Sequence, residues 1–254
     1  MIEIKTLTEI AELQKTVEIQ KNAWGFSDLD VENHYLMTRV QKYGGVVQGL
    51  YLDGQIIGFT YALIGKRGEK FIIYSHMTAV KKEFQGRGYG FMLKKAQRQA
   101  VLDMGYEVIE WNFDPIESLN AFFNFHRLGI ISHEYERNIY GEGESGLHKG
   151  LPTDRLIASW LLNSKQVKHK METRDPRLTE NVQENQIGNF GEKITYIETP
   201  LDIQSIKKTD MKKAIEWRMK TRQLLEQALA CKYVVREVVF SPDQQRIFFK
   251  LNRE

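Results

Sequence analysis

Residues 85–90, QGRGYG, carry glycine at alternate positions, Gly86, Gly88 and Gly90, and a helical pattern starts at once behind them. Glycine lets successive backbone N–H groups converge where a Cβ would intrude. At a helix N-terminus those donors meet the positive end of the helix dipole. The chemistry this suits is the binding of a phosphate or diphosphate. The loop lacks the Gly-Lys-Ser/Thr ending of a nucleotide-triphosphate loop and the G-x-G-x-x-G spacing of a dinucleotide fingerprint. A second constellation lies in residues 209–230, where Arg218 and Arg222 are four apart beside Trp217. On a helix they share one face. Planar, permanently charged forks suit a carboxylate or a phosphate, and a solvated basic face with Lys220 and Glu226 is the alternative.

The elements that must position these residues follow from pattern. Residues 2–6 alternate as a strand, and residues 8–23 and 31–42 read as helices. VVQGLYL and QIIGFTYALI flank Asp53-Gly54, a hairpin signal. FIIYSHMTAV is the strand that leads into the glycine loop. A helix from Tyr89 to Met104 follows, with Tyr89, Met92, Leu93, Ala96, Ala100 and Met104 as its apolar stripe and Gly105 as its stop. Then come a strand, YEVIEWNF, a helix over residues 114–129, and two strands, HEYERNIYG and RLIASWLL. Residues 164–192 are polar and read as a linker. The pattern resumes with the strand KITYIETP, a helix capped by Thr209 or Asp210, and a hairpin around SPDQ. The expected organisation is a catalytic domain over 1–163, the linker, and a small α+β unit over 193–254 docked on the first domain.

The chain has 254 residues, 42% of them hydrophobic, which is ample for a sizeable core. A net charge of +3 is too mild to argue for nucleic acid. The lone Cys231 excludes an internal disulfide and a cysteine-built zinc site. His126, His133 and His148 show no metal-ligand spacing, so no metal is expected. The N-terminus lacks a secretion signal, and no apolar run approaches the roughly 20 residues that span a bilayer. A cytoplasmic protein without membrane or nucleic-acid partners is expected.

The order strand, two helices, meander and then Q-x-x-G-x-G at a helix start resembles the GNAT superfamily of acyl-CoA-dependent N-acyltransferases. Val80, Gln85, Gly88 and Gly90 carry the resemblance, behind the strand FIIYSHMTAV, and it covers residues 1–163. WNFDP, NAFFNFHRLG and GLPTDR look like a longer bacterial branch with an added C-terminal unit. The resemblance implies an α/β (α+β) fold with a mixed, mostly antiparallel sheet flanked by helices. It implies acetyl-CoA or another short acyl-CoA as co-substrate, with its pyrophosphate on the amides of Gln85, Gly86, Arg87, Gly88, Tyr89 and Gly90. The pantetheine arm would pair with the strand around Thr78 and Val80, where a β-bulge splays it from YEVIEWNF. The helix NAFFNFHRLG would contact CoA through Asn120 and Phe123, with Ala121 and Gly129 in register with the family's small residues.

Two departures from that pattern matter. Ser118 stands where the family often has Asn, for which Asn120 is the nearby substitute. Phe125 stands where the family often has a Tyr that protonates the leaving thiolate. Tyr135 and Tyr140 are the substitutes, each equally readable as a packing residue. His76 is the first candidate for the base that frees the amine, with a structural histidine as its alternative, and Glu110 and Asp114 come next. Residues 24–45 and 141–155 are expected to border the acceptor pocket, the second as a lid. The acceptor is expected to be a small-molecule primary amine, with an amino acid and a succinyl donor kept open. A homodimer is the open assembly. The other readings are a non-catalytic acyl-CoA-binding regulatory module, supported by Phe125, and a modifier of protein or RNA, supported by SKQVKHK.

Overall fold

A computed structural model describes residues 1–141 and 150–254, and they form two compact units. The first comprises residues 1–111 and 161–163, and the second comprises 112–141, 150–160 and 164–254.

The first unit runs β1 (Ile2–Thr6), α1 (Ile10–Trp24), α2 (His34–Lys42), β2 (Val46–Leu52), β3 (Gln55–Arg67), β4 (Lys70–Val80), α3 (Tyr89–Asp103) and β5 (Val108–Phe113), whose last two residues belong to the second unit. Its strands pair in that order, β1-β2-β3-β4-β5, antiparallel except for β4 and β5. The β2–β3 turn is the expected one. Asp53 and Gly54 both take positive φ, 49° and 81°, the twist that a two-residue hairpin loop needs. One sheet face packs Phe59, Tyr61 and Ala79 against Leu13 and Ile19 of α1 and Met37 of α2. The other packs Leu50, Ile57 and Val80 against Leu93 of α3.

The buried face of α3 differs from the apolar stripe. It consists of Leu93, Lys94, Gln97 and Val101, while Met104 is exposed. Apolar periodicity cannot register a buried Lys and Gln that satisfy each other.

The second unit contains α4 (Ser118–Phe122), β6 (Tyr135–Glu136), β7 (Arg155–Leu161), α5 (Lys165–Glu172), β8 (Ile194–Thr199), α6 (Ile203–Thr209), α7 (Met211–Ala230), β9 (Tyr233–Phe240) and β10 (Ile247–Arg253). β8, β10 and β9 form an antiparallel sheet in that order. The helix expected over 114–129 starts later and ends as a wider π-type turn over Phe123–Leu128. Asp114 precedes a proline, which disfavours helical geometry there, and its Oδ1 accepts from Ile116 N–H at 3.0 Å to form a local turn. The strand expected over 133–141 is only two residues long, because Asn138 turns left-handed at φ 44°. Asp210 caps α7 by accepting from Lys213 N–H at 2.9 Å. The basic run SKQVKHK is α5 with its Ser164 cap, and its Lys170 is buried beside Asp175 at 2.9 Å.

Candidate active site

In the first unit β4 passes through a 3₁₀ turn, Lys82–Phe84, into the glycine loop. Gln85 folds back and donates from Nε2 to Val80 O at 2.8 Å, which fixes the loop to the strand's end. Asn22 of α1 braces the turn by accepting from Lys82 N–H at 2.7 Å. Gly86 and Gly88 take φ of 75° and 87°, and a Cβ on either would meet no protein atom within 4 Å. Glycine is therefore required by conformation, not by crowding within the chain. Gly88 is the N-cap of α3. The first amides of a helix have no intrahelical acceptor, and those of Tyr89 and Gly90 open at the loop, a setting that suits an anion. Arg87 is exposed, with its guanidinium 5.8 Å from the Phe84 ring.

The strand behind the loop is split from its neighbour. Among the described residues, β4 and β5 pair in parallel at Ile73↔Ile109 and Tyr74↔Glu110. Beyond those residues β4 continues through Ser75–Val80 to the loop. On its other edge, Tyr61↔Met77 is followed by Ala62↔Ser75, so His76 faces no partner and is a β-bulge. The extra residue re-aims side chains. Thr78 turns toward α3, where its Oγ1 lies 2.9 Å from that of Thr60. His76 turns to the opposite face, edge-on to Tyr61 at 5.6 Å, so His76 and Thr78 do not alternate on one face. His76 Nε2 stands 3.5 Å from Glu32, with the imidazole 32% exposed. Burial lowers the pKa of His76 below its ordinary value, and Glu32 opposes that shift.

The second unit gathers a different cluster. Asp154 is fully buried and accepts from Tyr135 Oη at 2.6 Å, from Asn138 N–H at 2.9 Å, and from Nε and Nη2 of Arg222 at 2.7 Å each. Burial acts to raise its pKa, but these donors hold it below the ordinary carboxylate value. Asp114 accepts at Oδ2 from Arg218, which is 1% exposed, and Arg155 approaches the same oxygen at 3.8 Å. Arg218 Nε and Nη1 have no hydrogen-bond partner among the described residues. Tyr140 is exposed and accepts from Asn112 at 2.7 Å.

The model of the acetyltransferase (GNAT) family matches residues 6–129, from the end of β1 to the glycine that closes the π turn. The chain carries a GNAT acetyltransferase domain. Solved structures share its fold. The ribosomal-protein-S18-alanine N-acetyltransferase from Escherichia coli is 16% identical with a TM-score of 0.52, over 65% of this chain and 96% of that one. The yncA protein from Salmonella typhimurium, solved with its cofactor acetyl-CoA, is 16% identical with a TM-score of 0.53, over 64% of this chain and 95% of that one. No curated protein matches the sequence.

Within the GNAT domain, the structure brings Thr78, Val80, Gln85, Gly86, Arg87, Gly88, Tyr89 and Gly90 into one continuous run of β4, loop and helix start, with His76 upstream on β4. In the second unit, Asp114, Tyr135 and Tyr140 surround the arginine cluster. Asn120 is exposed on α4, and Phe123 is half-buried at the start of the π turn. Ser118 is buried and donates to Pro200 O. Phe125 is fully buried against Phe113 and Phe249, each with its ring 5.9 Å away. Glu110 holds Arg67 at 3.0 Å. Most of the lid expected over 141–155 lies outside the described residues. Among the described residues no group of three or more His, Cys, Asp or Glu is placed to hold a metal, and no helix is long and apolar enough to cross a membrane.

Two polar residues escaped sequence reasoning. Asp154 pairs with residues 19 and 68 positions away, and no local pattern marks that. Lys94 on α3 reads as helix surface, yet it is buried.

Proposed function

We propose that the protein moves an acetyl or succinyl group from CoA to the primary amine of a small molecule, by direct attack. The observation that carries the reading is the β4 edge beyond Tyr74, which parts from β5 and runs straight into the glycine loop. A pantetheine arm along Thr78 and Val80 would end with its diphosphate on the amides of Gln85, Gly86, Arg87, Gly88, Tyr89 and Gly90, with Asn120 and Phe123 as further CoA contacts. A neutral imidazole at His76 takes a proton from the amine. Backbone N–H groups of β4 near Val80 hold the oxyanion.

On the acceptor side, Arg218 and Arg222 already hold Asp114 and Asp154. An anionic group of the acceptor, such as an amino-acid carboxylate, would have to engage the remaining N–H groups of Arg218. Of the two tyrosines, Tyr135 donates its proton to Asp154, while Tyr140 only accepts one from Asn112. Small-molecule chemistry in the cytoplasm, without metal and with a homodimer open, completes the reading. The domain division at 163 and 193 remains part of the same proposal.

A second reading, a non-catalytic acyl-CoA-binding module, is favoured by the burial of Phe125 among aromatic rings where a proton donor would stand. Release of CoA thiol from acetyl-CoA and succinyl-CoA against pooled amines and amino acids separates the two. Turnover with any acceptor supports the transferase. CoA binding without turnover supports the module.

A further inference from the structure

Lys94 lies at the inner end of the split between β4 and β5. The last paired residues are Tyr74 and Glu110, and the next residue on each strand touches Lys94. Its Nζ donates to Ser75 Oγ of β4 at 3.0 Å and stands 3.8 Å from the ring centre of Trp111 of β5. It also donates to Gln97 Oε1 at 2.8 Å. Gln97 Nε2 donates to Thr60 Oγ1 at 2.6 Å, and Thr60 meets Thr78 at 2.9 Å. A chain of hydrogen bonds thus runs from the Lys94 nitrogen along the α3 side of the split to Thr78. Lys94 itself is 3% exposed. A lysine in that place costs desolvation energy that an apolar residue would not. Its position between the strands, where a thioester on β4 would react, gives the charge a use.

We propose that Lys94 is the proton donor to the departing CoA thiolate, an assignment that rests on the acyltransferase reading above. When the tetrahedral intermediate collapses, the C–S bond breaks and its electron pair leaves on sulfur. The ammonium of Lys94 gives that sulfur a proton and regains one from solvent, while His76 releases to solvent the proton it takes from the attacking amine. Acyl-CoA and amine become amide and CoA thiol with no net proton taken or released. The proton affinities fit. Burial pulls the Lys94 pKa down to about 7, and an ordinary thiol titrates near 8.5, so the two groups are close enough in proton affinity to exchange a proton.

The other titratable groups on the elements around α3 are engaged elsewhere. Tyr51 donates to Glu12. Tyr61 and His76 meet on the opposite sheet face beside Glu32. Tyr74 contacts His76, Glu110 holds Arg67, and Arg98 donates to Leu162 O.

The test needs no acceptor. Calorimetry first establishes CoA binding to the whole protein. The thiol of bound CoA is then titrated by ultraviolet difference absorbance against desulfo-CoA. The expected result is a bound thiol that ionises below about pH 7, more than about 1.5 units under an ordinary thiol, because only there is Lys94 still charged beside it. In Lys94→Met and Lys94→Gln, CoA still binds and the shift is gone, while Tyr140→Phe keeps it. An unshifted thiol in the wild type, or a shift that survives in both Lys94 variants, overturns the assignment. So does a shift lost only in Tyr140→Phe. A mass increase at Lys94 on adding acetyl-CoA, with one thiol released, also overturns it, because the amine would then be a nucleophile. Absence of CoA binding in the wild type sinks the acyltransferase reading itself, and the assignment falls with it.

Discussion

The glycine loop of the first unit and the aspartate–arginine cluster of the second are built on opposite plans. The loop presents backbone amides, and its side chains are small or exposed. The cluster presents almost no backbone, and its aspartates and arginines are held by one another in the interior. A backbone-built site depends on conformation at a few consecutive residues. A side-chain-built site depends on partners brought from distant segments. The first should therefore lose ligand when conformation is disturbed and keep its fold, whereas the second should lose stability when one partner is removed.

The largest expected effect is in the cluster. Asp114→Ala strands the buried guanidinium of Arg218 without its carboxylate, and such losses cost about 3–5 kcal/mol. Urea unfolding measures it. The double variant Asp114→Ala with Arg218→Met should recover part of the loss, because no buried charge is then left uncompensated. A loss below about 1 kcal/mol for the single variant would mean that the cluster is solvated and that the contrast with the loop fails.

His76→Gln is next, with a fall of about a hundredfold in kcat and little change in melting temperature. The sign of its pH dependence follows from the lowered pKa. The base is active when neutral, so activity rises with pH, and the midpoint should fall below the ordinary imidazole value of about 6.5. A midpoint above that value, or full activity in His76→Gln, removes His76 from the mechanism.

Gly88→Trp should weaken CoA binding by at least about tenfold, or about 1.4 kcal/mol, in calorimetry. The positive φ there costs an L-residue roughly 1–2 kcal/mol, and no protein atom blocks the new side chain, so the fold should survive. The smallest effect is expected from Arg87→Ala, within about 1 kcal/mol in CoA affinity, as for an exposed charge. A loss as large as that of Gly88→Trp would show that a side chain, not the backbone, carries the loop.

What could be read from the sequence divides along the same line. The Asp53-Gly54 hairpin, the strand into the glycine loop and the start of α3 are local, and each has its signal within a few residues. The bulge at His76 has no residue signature, because it is set by how β4 registers against β3. It moves His76 off the face of Thr78. The helix expected over 114–129 was shortened by the turn that Asp114 and Pro115 make. The arginine pair was visible as a pair on one face, but Asp154, which takes Arg222, was not. The polar stripe of α3 was hidden for a related reason. A buried Lys and Gln look like surface residues until Ser75, Thr60 and Trp111 are placed around them.

The sequence by itself determined the glycine loop, because the positive φ at Gly86 and Gly88 favours glycine and the helix pattern starts directly behind them. It also determined the strands and most of the helices, through periodicity and caps. Only the tertiary structure decided where β4 parts from β5, which way His76 points, which aspartate meets which arginine, and that Lys94 lies inside. These depend on sheet register and on pairs far apart in the chain, whose energies belong to the assembled interior and to no local stretch.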